Sequence, residues 1–143
     1  MRFKEAKNHK VVSTTDAATV AKVRAFVVDP RTASVVGLRL KKAPGPGDVI
    51  AWSDLKAFGR DAATIESAEA IRIADGDLAA LAESDRDLMG KRVLTEGGDG
   101  LGTVNDVEFD PADGSIRAIL TGTEEIAGPR MLGLGSYAVV VRA

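Results

Sequence analysis

Apolar and polar positions follow one pattern twice along the chain. KVVSTTDAATVAKVRAFVVDPRTASVVGLR, starting at Lys10, lies without a gap over KRVLTEGGDGLGTVNDVEFDPADGSIRAIL, starting at Lys91, at an offset of 81. The identities are Lys10 with Lys91, Val12 with Val93, Thr14 with Thr95, Val23 with Val104, Asp29-Pro30 with Asp110-Pro111, and Ser34 with Ser115. Apolar character also agrees at Val20 and Leu101, Phe26 and Val107, Val28 and Phe109, Val35 and Ile116, and Leu38 and Ile119. Two copies are too few for a solenoid, so duplication of a small domain is the expectation.

Each copy reads as β structure. Short strands begin at Val11-Val12 and at Arg92-Val93-Leu94, and a turn follows, marked in the second copy by Gly97 to Gly100. The next strand spans Val20 to Val28, or Leu101 to Phe109. Its shared apolar positions are the first, fourth, seventh and ninth, which strict alternation would not give. A bulge or sharp bend is therefore expected near Arg24-Ala25 and Asn105-Asp106. Asp29, Pro30, Asp110, Pro111 and Gly114 carry turn chemistry: Asp caps, Pro presets φ, and Gly takes the left-handed position. The first copy has Ala33 at that glycine position, where a left-handed residue costs about 1–2 kcal/mol, so a different or strained turn is expected.

Both copies close alike. VIAWSDLKAFGRDAATI, Val49 to Ile65, predicts a strand end, a helical turn capped by Ser53 and stopped by Gly59, and a last strand from Ala62 to Ile65. Leu55 and Phe58 would share the inner face of that turn. MLGLGSYAVVV, Met131 to Val141, matches it at an offset of 76, placing Met131 on Leu55, Leu134 on Phe58 and Val141 on Ile65. KKAPGPGD, from Lys41, is the longer loop that accounts for the change of offset. Residues 1–70 thus form the first repeat and residues 90–143 the second. Residues 71–89 form a packed linker, with Asp77 capping a short helix whose Leu78, Leu81 and Ala82 share a face.

Composition narrows the class. Of 143 residues, 45% are apolar and 28% charged, as in a globular protein, and only 4% are aromatic, so Val, Leu, Ile and Ala must build most of the core. With no cysteine there are no disulfides, thiolate metal sites or cysteine nucleophiles. MRFKEAKNHK lacks the apolar stretch of a secretory signal, and no run is long enough to span a membrane, so the expected location is the cytoplasm. The net charge of −2 argues against non-specific nucleic-acid binding. Residues 1–70 carry four more cations than anions and residues 71–143 six fewer. That is either chance on solvated faces or complementarity between the halves.

Candidate chemistry is sparse. GGDGLG lacks the helix that a phosphate loop needs, and a strand follows it instead. His9 is the only histidine and lies in a polar stretch, so a surface position is expected, with no His-pair metal site and no triad. Asp106, Glu108, Asp110 and Asp113 lack the distal Glu of a calcium loop and read as a solvated strand face plus turn caps. Trp52 and Tyr137, each unique, are either rim residues of the core or interface anchors. No catalytic residue, metal or cofactor is expected.

In the second copy Gly102, Val104, Asp106, Val107, Asp110, Pro111, Gly114 and Ile116, followed by the closing Leu-Gly-Ala-Val-Val pattern, resemble the PRC-barrel family. The first copy departs from that pattern at Ala21, Ala25 and Ala33. The resemblance implies a mainly β chain of two tandem small PRC-type β-barrels, with short helical turns and one short linker helix. It extends to the cytoplasmic domain of the photosynthetic reaction centre H subunit. It extends also to the C-terminal domain of a ribosome maturation factor that binds a small-subunit ribosomal protein. It implies a non-catalytic macromolecule-binding module whose partner is another protein or a second copy of the chain. The alternative is an RNA-associated ribosome-assembly factor. The two barrels are expected to pack through an apolar face about a pseudo-twofold axis.

Overall fold

Short β-runs broken by turn residues give thirteen strands in the computed structural model, which describes residues 1–143. The first half runs α1 (Phe3–Ala6), β1 (Lys10–Ser13), β2 (Thr19–Asp29), β3 (Ser34–Lys41), β4 (Val49–Ala51), a 3-10 turn at Trp52–Asp54, β5 (Ala57–Phe58) and β6 (Ala62–Ile65). Between the halves lie α2 (Gly76–Leu81) and 3-10 turns at Ala68–Ala70 and Ser84–Arg86. The second half runs β7 (Arg92–Thr95), β8 (Gly100–Thr103), β9 (Asp106–Phe109), β10 (Ile116–Leu120), β11 (Glu125–Ala127), a 3-10 turn at Gly128–Arg130, β12 (Met131–Leu134) and β13 (Ala138–Val141). The chain is mainly β, with curled sheets and few short helices.

The first half is one six-stranded sheet in the order β4-β3-β2-β1-β6-β5. The second half has the orders β11-β10-β9 and β12-β13-β7-β8, which is the same sequence of neighbours with β2 replaced by two pieces. The break falls at Val104-Asn105, and β2 has a register shift between Val23 and Ala25 at the matching place. The slip in apolar spacing therefore marks a real bend. It is absorbed as a bulge in one half and as an interruption in the other.

Pairing agrees residue by residue. Leu38 faces Ile50 as Ile119 faces Ile126, Phe26 faces Leu38 as Val107 faces Ile119, and Phe58 faces Ala63 as Leu134 faces Val139. In each half the first strand also runs parallel to the last: Val11 pairs with Ala63, and Val93 with Val139. These pairs correct the expected register of the first strands. Lys10 matches Arg92 and Val11 matches Val93, an offset of 82, so the identities Lys10/Lys91, Val12/Val93 and Thr14/Thr95 are not spatial equivalents. A one-residue slip would turn the strand over, and it is Val11 and Val93 that point into the core.

Two further expectations change. Ala51, not Ser53, precedes the 3-10 turn; Ser53 lies inside it, and Phe58 reaches the core from β5 instead of from a helical face. Asp75 occupies the cap position of α2, while Asp77 lies in its first turn. Of the two outcomes expected for the turn after β2, the strained one holds: Ala33 takes a left-handed φ of 50° where Gly114 takes 79°. Asn8 and Gly90 share a positive φ at another pair of matched positions.

The two halves share one core. A single cluster of 26 buried residues draws on both, from Val11, Val23 and Leu38 to Val93, Ile119 and Val141. The few aromatics are not scattered. All four phenylalanines meet at the seam: Phe3 stacks on Phe26 at 4.1 Å, and both rings lie 5.4 Å from Phe109. Phe58 lies 5.7 Å from Phe109. Backbone bonds cross the seam reciprocally. Val35 N–H donates to Gly114 O and Ile116 N–H to Ala33 O, each at 2.8 Å, and Ser34 pairs with its own counterpart Ser115. Matched residues bonding to one another in both directions have local twofold character.

The N-terminal segment, which reads as a polar stretch, belongs to this seam. Phe109 N–H donates to Met1 O at 2.8 Å, and the Met1 ammonium donates to Phe109 O at 3.0 Å. Met1 and Arg2 thus cover the open edge of β9 in the opposite half, and Phe3 enters the core beside it.

Candidate interaction surfaces

The hairpin turns carry most of the organised polar chemistry. Asp110 Oδ1 accepts from Ala112 N–H at 2.8 Å, and its Oδ2 accepts from the Arg117 guanidinium at 2.8 Å. The Ala112 amide, with help from Arg117, holds the Asp110 carboxyl below its ordinary range. Asp113 Oδ1 accepts from Ser115 N–H and Oγ–H at 2.9 and 2.8 Å, and these bonds lower its pKa in the same way. In the first half Asp29 Oδ1 accepts from Arg31 N–H at 2.9 Å, and that carboxylate raises the Arg31 pKa. Pro30 and Pro111 occupy the second positions of these turns. The turns lie where the halves meet, and their Ala33 and Gly114 carbonyls accept the bonds that cross the seam.

Asp106 does not lie on a solvated face. It is 7% exposed, and its Oδ1 accepts from Val107 N–H at 2.8 Å and from Lys4 N–H at 3.2 Å. It therefore caps α1 from the other half of the molecule. Glu108, two residues on, is half-buried. Sequence reasoning missed this because the capped helix lies about a hundred residues away. His9 is likewise not a plain surface residue. Its ring stacks on Phe58 at 5.6 Å, and Nε2 lies 2.6 Å from Arg60 O, so Nε2 carries the proton.

Trp52 and Tyr137 are not brought together. Trp52 is half-buried on the seam, 5.5 Å from Phe58 and 6.3 Å from Phe109, with its ring against Gly114. Tyr137 is 68% exposed in the turn before β13, with the Arg92 guanidinium 6.0 Å from its ring centre. Leu132, on β12, is 45% exposed. β12 is the outer strand of its sheet, so a second strand has a free edge to add to.

The charge difference between the halves is not spent on a network at the seam. Arg39 to Asp87, at 2.7 Å, is the only ion pair joining residues 1–70 to residues 71–143. No group of three or more His, Asp or Glu side chains is placed to hold a metal ion, and no helix is long and apolar enough to cross a membrane. Two features stand out: a seam closed by turns and aromatic rings, and an outer strand beside which Leu132 and Tyr137 are exposed.

No curated protein matches the chain. Residues 82–137, from the end of α2 through the turn that holds Tyr137, match the PRC-barrel domain family.

Proposed function

We propose that the chain is a tandem pair of PRC-barrel modules, fused about a pseudo-twofold seam, that works in the cytoplasm as a non-catalytic protein-binding scaffold. The observation that supports the duplication is the shared pairing register of residues 10–65 and 92–141. Binding is read from β12, an outer strand beside which Leu132 and Tyr137 are both exposed. A partner segment would add a strand there and bury both side chains. Trp52, the other candidate anchor, serves the internal seam, because its ring is already engaged by Phe58, Phe109 and Gly114.

The test is affinity capture from native lysate with the full chain, with proteins and RNA scored separately, beside the Leu132→Glu, Tyr137→Ser double variant. Both positions are exposed, so the variant should fold normally. Proteins retained by the wild-type chain and lost by the variant are the expected result. Capture dominated by ribosomal RNA and indifferent to the variant would favour the RNA-associated alternative.

A further inference from the structure

The two halves differ at one position where a carboxylate matters. Asp106 caps the segment that leads into the first half, but its counterpart at an offset of 81 is Ala25. Phe3–Ala6, shifted by the 82 residues that relate the first strands, falls on Asp85–Leu88, and Leu88 is buried as Ala6 is. Beside Ala25, where a carboxylate would project toward this second lead-in, there is a cleft of about 200 Å³. Phe26, Ala25 and Leu88 supply its apolar wall, and Lys4, Lys7 and Arg24 its charge. Lys7 and Arg24 make no ion pair, and the Lys4 ammonium donates to Asn105 Oδ1 at 3.1 Å. The single carboxylate at the rim, Asp87, is committed to Arg39.

We propose that this cleft binds a compact apolar carboxylic acid, aryl or short alkyl. Its carboxylate lies against Arg24 and Lys7, in the place of the acidic side chain that position 25 lacks. Its apolar body lies on Phe26 and Leu88. The cleft is smaller than the roughly 300–1,000 Å³ of sites for drug-sized ligands, which limits the occupant to about two rings. Three cations against one paired anion, in a chain of net charge −2, select an anion over a neutral body of the same shape. The site is independent of the β12 edge.

The test is titration of the full chain with 2-naphthoate, followed by backbone amide chemical shifts, with neutral 2-naphthylmethanol as the comparison. Shifts concentrated at residues 24–26 and 87–89 are expected, with the alcohol binding roughly tenfold more weakly. Arg24→Gln should weaken naphthoate several-fold and leave the alcohol unchanged. Ala25→Asp should abolish naphthoate binding by supplying the carboxylate from within. Should that variant fail to fold, Arg24→Gln, at an exposed position, decides. Equal binding of acid and alcohol, shifts centred elsewhere, or naphthoate affinity unchanged in Arg24→Gln would overturn the proposal.

Discussion

At the scale of single residues, side-chain size alternates across the seam. Gly114 has φ 79°, and a Cβ there would lie 2.7 Å from Val35 O and 3.2 Å from the Trp52 ring. At the matching positions Ala33 replaces Gly114 and Gly128 replaces Trp52, so the large ring faces the missing side chain in one half only. Gly114→Ala adds a left-handed alanine to that collision, and we expect it to lower stability by about 2–4 kcal/mol in urea denaturation. Gly128→Ala should be at least as damaging, because its Cβ would collide with Ile116 O. Gly133→Ala meets open space and should stay within about 0.5 kcal/mol of wild type. Asp110 and Asp113 give the pH dependence its sign. Both folded pKa values are depressed, so the native state holds fewer protons than the unfolded chain as the pH passes through the carboxylate range. Their contribution is present above the unfolded pKa of about 3.9 and is lost as pH falls through the folded values. Urea midpoints measured from pH 5 down to pH 2.5 should therefore fall less steeply in the Asp110→Asn, Asp113→Asn double variant.

At the scale of elements, what the sequence made legible was local. The hairpins, the bend near Arg24 and Asn105, and the closing strands were readable because each depends on neighbouring residues: turn formers, β-branched runs, and a break in period. The offset of the first strands was not, because an ungapped match rewards identical letters. The fold instead rewards Val11 and Val93 for pointing inward. α1 was missed for a different reason. FKEA is too short and polar to show a helical face, and its stability comes from Asp106 and from the burial of Phe3. Asp106→Ala removes that cap and should cost about 1 kcal/mol. Amide hydrogen exchange should quicken at Phe3–Ala6 far more than at β13.

For the whole molecule, the N-terminal segment of one half closes the sheet edge of the other, and a common aromatic cluster fills the space between them. The buried cluster draws on both halves, so the two should unfold together despite their repeated pairing. Phe3→Ala, which touches Phe26 and Phe109 from opposite halves, should cost about 3–5 kcal/mol. It should lower the protection of strand amides on both sides of the seam.

The most direct measurement is urea unfolding of the full chain, followed at once by Trp52 fluorescence and by far-UV circular dichroism. Trp52 is the only tryptophan and reports the seam, whereas dichroism reports the strands of both halves. One shared transition, with coincident midpoints and slopes, is expected. A dichroism curve with a second phase after the fluorescence change is complete would show halves that stand alone, and would contradict a common core.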